Sequence, residues 1–400
     1  MTRRELLQRF AALGLAAPFA GLPACAPGEG LYWDFDVTFT GRVVVVGAGA
    51  AGLAAGYLLD RYGIDFEIVE AAPVIGGRVR ALEGFVSVDL DVGAEWIHQD
   101  PSVLAELVDD PDAEGVIDVI PYSPETLALA RDGRLTTVNA GSNFYSEYKF
   151  RRTTWAGFLR DHIAAGILDR VHTARPITRI DHAGDRVVLT DADGGTLEAD
   201  AVLVTVPLKI LQERLITFAP ALPEDKLAAI DAVFVPPGLK VFLAFSERFY
   251  PDATLIRGLS SGETNGDPEK VYYDAMFRKG LDANVLALFY VGRTAEEFTA
   301  LGSDEAIVEA VLAELDQLFD GRASPALLQA VVQNWSAEPW IRGAYSYTFD
   351  GDTRDILDAL NAPVGGRLFF AGEALSRDNG ATVPGAMESA YGAVRALLEG

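Results

Sequence analysis

The spacing of hydrophobic residues along the chain predicts an alternation of buried strands and helices. Strand-like apolar runs occur at 42–46, 65–69, 201–208 and 368–370. The four valines after Arg42 are typical of a parallel strand that is buried on both faces. A helical period follows them at Leu53–Tyr62, and another closes the chain at Met387–Leu398. Strands that alternate with helices predict an α/β fold with a parallel sheet.

Three glycines after the first run give the first chemical signal. Gly47, Gly49 and Gly52 form a G-x-G-x-x-G pattern between the predicted strand and the predicted helix. Gly47 allows a tight turn, Gly49 lets the backbone approach a pyrophosphate, and Gly52 lets the helix pack closely on the strand. Glu70 ends the second strand, where an acidic residue contacts a ribose hydroxyl. The pattern therefore predicts a dinucleotide-binding βαβ unit whose helix N-terminus attracts phosphate.

The residues that follow Glu70 indicate which dinucleotide binds. Gly76-Gly77-Arg78 resembles the extended fingerprint of flavoproteins, in which a Gly-Gly-Arg segment lies along the diphosphate and the flavin. This resemblance implies FAD as the cofactor. An ordinary surface turn with a solvated arginine is the alternative interpretation of the same residues.

Nucleotide-binding patterns recur in separate parts of the chain, so we predict two interleaved domains. A length of 400 residues also exceeds what one hydrophobic core usually serves. We assign residues 42–100, 168–215 and 335–400 to a Rossmann-type FAD-binding domain. Residues 101–167 and 216–334 are assigned to an α+β substrate domain.

The composition restricts the partners of the protein. A formal net charge of -25 disfavours nucleic acids and anionic lipid surfaces, although solubility alone would also account for such a charge. The sequence offers no cluster with metal-ligand spacing and no hydrolase triad. We therefore expect a small-molecule enzyme that uses no metal.

The N-terminal residues predict a targeting signal rather than part of the folded domain. Arg3-Arg4 precedes the uncharged, Ala/Leu-rich stretch 10–24, and this arrangement resembles a twin-arginine export signal. We therefore expect an export signal at 1–26 and a linker at 27–41. The lone cysteine, Cys25, ends a segment that resembles a lipoprotein cleavage box, which implies a periplasmic protein or a membrane-anchored lipoprotein. A cytoplasmic amphipathic helix is the alternative.

Further motifs resemble the flavin-dependent amine oxidase family, the monoamine and polyamine oxidase-like flavoproteins. Gly93-Ala94-Glu95-Trp96-Ile97-His98 resembles the flavin-facing loop of that family, although Gln99 stands where the motif commonly continues with glycine. The strand that ends at Thr205-Val206-Pro207-Leu208 resembles a family strand beside FAD.

Lys240 is the residue that most favours this resemblance. It lies in the predicted strand Gly238–Phe245, on the same face as Phe242 and Ala244. A lysine among so many apolar neighbours is unusual. In amine oxidases a lysine at the matching position holds a water near flavin N5, and burial would lower its pKa. A solvent-facing lysine at the start of a strand is the alternative.

The C-terminal third completes the resemblance. Tyr345 matches the position that lays an aromatic side chain against the flavin, where a ring can orient an amine. Ala344 stands where some amine oxidases carry a cysteine bonded to the flavin, so noncovalent FAD is implied. Thr382 stands where some members carry a second aromatic residue, so only half of an aromatic cage is implied. Glu373 would accept hydrogen bonds from the ribityl or diphosphate region, and backbone N–H groups near Val383 would face flavin N1 and O2.

The resemblance implies a catalytic set and a cofactor-binding set. The catalytic set is Lys240, Tyr345 and Thr382. The cofactor-binding set is Gly47, Gly49, Ala51, Gly52, Glu70, Gly76, Gly77, Arg78, Gly93, Ala94, Glu95, Trp96, Ile177, Pro207, Trp335, Gly372, Glu373, Thr382 and Val383.

The implied reaction is the oxidation of an amine. A hydride leaves the carbon next to nitrogen for flavin N5, and water hydrolyses the resulting imine to a carbonyl compound. Oxygen is the expected acceptor, with hydrogen peroxide as the product. Two alternatives stay open: a flavin dehydrogenase or desaturase that uses a quinone or cytochrome, and a noncatalytic flavoprotein. The sequence leaves the amine itself open.

Overall fold

The computed structural model of the chain describes residues 33, 35–110, 117–131, 134–139, 147–257 and 270–400. The predicted export signal at 1–26, with Cys25, and the first part of the predicted linker lie outside the described residues. Within the described part, no helix is both long enough and apolar enough to cross a lipid bilayer.

The described residues form strands and helices with the following bounds. The strands are β1 (Arg42–Val46), β2 (Asp65–Val69), β3 (Ala81–Leu82), β4 (Leu90–Asp91), β5 (Val119–Tyr122), β6 (Thr126–Arg131), β7 (Arg134–Asn139), β8 (Glu147–Phe150), β9 (Val171–His172), β10 (Ile177–Asp181), β11 (Val187–Asp191), β12 (Thr196–Ala199), β13 (Ala201–Val204), β14 (Thr217–Ala219), β15 (Val233–Phe234), β16 (Gly238–Phe245), β17 (Ala253–Arg257), β18 (Lys270–Asp274), β19 (Asn284–Val291), β20 (Leu327–Asn334), β21 (Thr348–Phe349) and β22 (Leu368–Phe370). The helices are α1 (Ala50–Arg61), α2 (Ser102–Val108), α3 (Trp155–Phe158), α4 (Leu208–Gln212), α5 (Glu224–Asp231), α6 (Arg293–Thr299), α7 (Asp304–Leu318), α8 (Ala323–Ala326), α9 (Thr353–Asn361) and α10 (Val383–Glu399).

A five-stranded parallel sheet forms the first lobe. Its strand order is β22-β13-β1-β2-β9, and every neighbouring pair is parallel. The valines of β1 are buried because strands flank them on both sides and helices cover the sheet. The predicted α/β, Rossmann-type architecture is therefore confirmed.

Helices α1 and α10 pack together on one face of this sheet. Their alanines and glycines allow a close approach: a Cβ at Gly56 would lie 2.7 Å from the Cδ1 atom of Ile68 on β2. Helix α2 and the turn of π-helix that follows α3, Leu159–Ala164, contribute side chains to the same core. These two segments fall within residues 101–167, so part of the predicted substrate domain packs on the nucleotide lobe.

A seven-stranded sheet forms the second lobe. Its order is β20-β16-β19-β18-β17-β6-β7, and its pairs are antiparallel except for β17 with β6. All eight residues of β16 are buried. One face of β16 packs against α7 through residues such as Leu243, and the other face, with Phe242, turns towards the first lobe. Lys240 lies on this second face, as the alternation predicted.

Candidate active site

A cavity of about 580 Å³ lies between the two lobes and is lined by residues from both. Every residue of the predicted catalytic and cofactor-binding sets lines it except Gly52. The sequence motifs, which are far apart in the chain, are therefore brought to one place. The structure also adds lining residues that the sequence did not single out, among them Arg80, Arg175 and Phe289.

The glycine turn forms one end of the cavity. Gly47 has a φ of 110°, a region that glycine adopts readily and other residues avoid. A Cβ at Gly52 would lie 1.8 Å from the carbonyl oxygen of Gly47, so Gly52 serves the close packing of helix and strand. Gly49 caps α1 without a side-chain hydrogen bond. Since Gly49, Ala50 and Ala51 line the cavity, the N-terminus of α1 is open to an anion there.

Glu70 lies beside this turn, where the fingerprint predicted it. Its Oε2 atom accepts a hydrogen bond from the Ala48 N–H at 2.6 Å, and its Oε1 atom accepts one from the Ala72 N–H at 2.7 Å. Burial raises the pKa of Glu70, and these two backbone donors oppose that rise. Each oxygen retains a further lone pair for a ribose hydroxyl, so the predicted ribose contact stays a prediction.

Glu373 connects three of the motifs. It accepts a hydrogen bond from Arg78 Nη1 at 2.9 Å, from the Ser346 hydroxyl at 2.6 Å and from the Ala381 N–H at 3.1 Å. The Nη1 atom of Arg78 also donates to the carbonyl oxygen of Ala344 at 2.6 Å. The carboxylate thus holds protein segments together, a role that the sequence did not predict, while its contact with the cofactor stays a prediction.

Lys240 is buried at the wall of the cavity, with 1% of its surface exposed. The alternative of a solvent-facing lysine is therefore wrong. Its Nζ atom donates to Glu95 Oε2 at 2.7 Å and to the carbonyl oxygen of Asp91 at 3.1 Å. Burial lowers the pKa of Lys240, and the neighbouring Glu95 carboxylate opposes that shift. An ammonium group has three protons, so one remains for a water or a ligand.

Glu95 holds a second lysine as well as Lys240. Its Oε1 atom forms an ion pair with Lys149, and its Oε2 atom also accepts a hydrogen bond from the Tyr273 hydroxyl at 2.5 Å. Burial alone would raise the pKa of Glu95, but the ammonium groups of Lys149 and Lys240 hold it at about 2. Burial beside this carboxylate raises the pKa of Asp91 to about 8. The wall thus contains a dense buried network of charges.

Among the aromatic residues that line the cavity, Tyr345 lies beside Phe289. The two rings are stacked, with centroids 6.4 Å apart and planes inclined by 21°. Phe289 pairs directly with Lys240 across β16 and β19. Thr382, at the position of the family's second aromatic residue, caps α10: its hydroxyl donates to the Asn379 carbonyl at 2.7 Å and accepts from the Gly385 N–H at 3.0 Å.

Two buried polar groups on aromatic side chains at the cavity have no hydrogen-bond partner within the described part of the chain. They are the hydroxyl of Tyr345 and the indole N–H of Trp96, both buried. Buried polar groups are nearly always hydrogen-bonded, so a bound molecule is the natural partner for both. Together with the glycine turn, the open N-terminus of α1 and the N-terminus of α10, these groups fit a flavin dinucleotide.

Several functional residues could not be found from the sequence. Phe289 lies within an unbroken apolar strand, so nothing marks the side chain that reaches the cavity. Lys149 occurs in the short segment Glu147–Phe150, outside every motif. Tyr273 meets Glu95 only through the pairing of distant strands. The local signal for Lys149 is its position between the aromatic residues Tyr148 and Phe150.

Comparison with protein families agrees with the geometry. The model described as "Flavin containing amine oxidoreductase" matches residues 159–398. The model described as "NAD(P)-binding Rossmann-like domain" matches residues 45–110, which include the glycine turn and Glu70. These matches confirm the resemblance inferred from the motifs.

The chain is similar to curated proteins of two kinds. It is 26% identical over 444 residues to Lysine-specific histone demethylase 2 of Homo sapiens, covering 86% of this chain and 52% of that protein. It is 25% identical over 428 residues to Probable polyamine oxidase 4 of Arabidopsis thaliana, covering 86% of this chain and 84% of that protein. The chain spans about half the length, or less, of several curated relatives that it matches.

Solved structures share the fold at low sequence identity. Cyclohexylamine oxidase from Brevibacterium oxydans superposes with a TM-score of 0.75 at 18% identity, covering 90% of this chain and 99% of that one. A triple mutant of putrescine oxidase superposes with a TM-score of 0.71 at 16% identity, covering 89% and 98%. Both lobes of the present structure therefore occur together in other proteins.

Proposed function

The chain belongs to the flavin containing amine oxidoreductase family, and we propose that it is an FAD-dependent amine oxidase. Membership of the family implies a flavin cofactor. The observation that carries the proposal is the position of Lys240: a buried ammonium group and the Tyr345 ring line the same cavity as the dinucleotide turn. An amine that entered would meet aromatic faces at one end of the space that holds the cofactor.

The residues that would hold FAD are those of the glycine turn, the Gly76-Gly77-Arg78 segment and the N-terminus of α10. When bound, FAD would supply the acceptor for the hydride, which carries both electrons away from the amine carbon. No cysteine stands at Ala344, so the cofactor is held by noncovalent contacts. Positive ends of α1 and α10 favour the negative charge of the diphosphate and of the reduced cofactor.

The protein's own groups orient the amine and control protons. The faces of Tyr345 and Phe289 bind its apolar substituent and attract the cationic form as it enters. The hydride can leave only when the nitrogen has a free lone pair, which the neutral amine has. Burial of the amine lowers its pKa by desolvation and therefore favours this neutral form. Lys240 is held by Glu95 and by the Asp91 carbonyl, and its third N–H positions a water. That water hydrolyses the imine once it has formed.

Oxygen is the proposed electron acceptor, with hydrogen peroxide as the product. The test is to mix the purified, FAD-loaded protein anaerobically with a panel of amines and to record the visible spectrum. Bleaching of the oxidised band by an amine, followed by rapid recovery and peroxide formation in air, supports the whole proposal. Slow recovery of the oxidised band in air, with fast recovery on addition of a quinone, would indicate a quinone rather than oxygen as the electron acceptor. A flavin that no amine bleaches would overturn the function.

Export through a twin-arginine signal is a separate proposal, which rests on Arg3-Arg4 and the apolar stretch after them. Fusion of the full chain to a reporter should place it outside the cytoplasm, and replacing both arginines by lysine should retain it inside. Lipidation at Cys25 would appear as incorporation of labelled palmitate that Cys25→Ala removes. A reporter that stays cytoplasmic in both chains would overturn the export proposal.

A further inference from the structure

The carboxylates that line the described part of the cavity are all engaged by protein groups. They belong to Glu70, Glu95 and Glu373. Backbone N–H groups hold Glu70, and Arg78 with Ser346 holds Glu373. Glu95 is shared between Lys149 and Lys240. A ligand with a second ammonium group would therefore find no open counter-ion among these residues.

The ammonium group of Lys149 occupies a site with the chemistry of an amine receptor. Its Nζ atom lies 4.8 Å from the ring centroid of Tyr122, 4.9 Å from that of Tyr273 and 5.2 Å from that of Trp96. Glu95 completes the enclosure through the ion pair. Aromatic faces and one carboxylate around a cation are the means by which proteins bind alkylammonium ligands.

This enclosure adjoins the cavity. Glu95 and Trp96 belong both to the cavity wall and to the surroundings of Lys149. Lys149 itself is 2% exposed, so its ammonium group is an internal cation held just beyond the wall. The Lys240 ammonium lies against the same carboxylate, 5.2 Å from the same Trp96 ring.

We propose that Lys149 takes the place of a substrate's second ammonium group, so that the enzyme selects amines with a single cationic nitrogen over diamines and polyamines. The inference rests on the proposed function and narrows its substrate class. A second ammonium in the cavity would be desolvated without a counter-ion and would be repelled by Lys149 and Lys240. Only the diamine meets this unfavourable desolvation and repulsion, because a monoamine places an uncharged alkyl chain in the same space.

The test compares amines that differ only in the second nitrogen. Butylamine and putrescine form one pair, and hexylamine and hexamethylenediamine form another. The Kd and the limiting rate of flavin bleaching are measured with the holoenzyme by anaerobic stopped flow. We expect the ratio of rate to Kd to favour the monoamine of each pair by about tenfold or more. Equal or better bleaching by the diamines would overturn the inference and leave the proposed function intact.

A substitution at Lys149 tests the cause. Lys149→Met should release one oxygen of Glu95 and empty the aromatic enclosure, so the preference for the monoamine should fall by about tenfold. Lys149→Arg keeps the charge and should keep the preference. The matched control is Lys270→Met: Lys270 pairs with Glu314 at 2.6 Å and lies 4.9 Å from the Phe298 ring. Unlike Glu95 and Trp96 beside Lys149, these two neighbours of Lys270 do not line the cavity.

The outcomes separate the two proposals. Failure of every monoamine and diamine to bleach the flavin would reject amine oxidation itself. An unchanged preference in a folded, FAD-loaded Lys149→Met protein, or an equal change in Lys270→Met, would reject the role of Lys149. Should Lys149→Met fail to fold, the wild-type comparison and Lys149→Arg still decide, since a wild type without monoamine preference contradicts the inference.

Discussion

The Nζ atom of Lys240 lies 2.7 Å from the Oε2 atom of Glu95, and both side chains are buried. The sequence predicted different roles for the two residues: Lys240 in catalysis and Glu95 in cofactor binding. Their ion pair joins β16 of the second lobe to the loop that follows β4. The pair therefore fixes the wall of the cavity as well as the charge of Lys240.

Lys240→Met should abolish most of the activity while the protein keeps its FAD. Methionine fills a similar volume without the ammonium group, so it removes the proton donor at the cavity and leaves the packing largely intact. We expect the rate of flavin bleaching by the best amine to fall by about a hundredfold or more. Anaerobic stopped flow measures the rate, and the ratio of visible to ultraviolet absorbance measures the FAD content. A normal rate at full FAD content would contradict this role.

Glu95→Gln should destabilise the protein strongly. Loss of one partner leaves buried charge uncompensated, which typically costs about 3–5 kcal/mol. Because the pKa of Glu95 is held at about 2, below the ordinary value of 4.5 for a glutamate, its contribution to stability is present above pH 4.5 and is lost as the pH falls towards 2. Denaturant unfolding of the two proteins at neutral pH measures the difference.

The matched control for Glu95→Gln is an exposed ion pair. Asp358 accepts a hydrogen bond from Arg377 at 2.6 Å, and their side chains are 57% and 52% exposed. Asp358→Asn should cost less than about 1 kcal/mol, because solvent screens such pairs. Equal losses of unfolding free energy in the two variants would show that burial does not increase the contribution of Glu95 to stability.

Asp91→Asn should change how stability depends on pH. The pKa of Asp91 is raised from 3.8 to about 8, so the folded protein keeps a proton there that the unfolded chain releases. Its contribution to stability is therefore complete below about pH 4 and is lost as the pH rises to 8. Asparagine cannot ionise, and its oxygen can still accept the hydrogen bond that the Trp155 N–H donates at 2.9 Å. The fall in Tm between pH 6 and pH 9 should be smaller in the variant than in the wild type, and an equal fall would contradict the shift.

The parts of the structure that could be predicted from the sequence are those with local causes. The β1 run, the turn at Gly47 and the start of α1 follow from hydrophobic period and backbone freedom over a few residues. Lys240 was found because a charge in an apolar strand is costly and therefore informative. The family motifs then indicated which of these local features belong to one site.

The parts that could not be predicted depend on contacts between distant segments. The aromatic enclosure of Lys149 consists of Trp96 in a loop, Tyr122 in β5 and Tyr273 in β18. No local sequence pattern predicts that these three residues meet. Phe289 reaches the cavity because β19 pairs with β16, which the sequence leaves undetermined. Assignment of Glu95 to the cofactor missed its two lysines for the same reason.

Gly52→Ala should release FAD. An added Cβ would lie 1.8 Å from the Gly47 carbonyl oxygen, which is backbone and cannot move aside without distorting the turn at the phosphate-binding end. We expect loss of most of the FAD on purification, measured by absorbance, and a lower Tm. The control is Gly392→Ala in α10, where an added Cβ meets nothing within 4 Å. Alanine favours a helix over glycine by about 1 kcal/mol, so that variant should keep its FAD and gain stability. Full FAD content in Gly52→Ala would show that the cofactor does not depend on the close approach of α1 to β1.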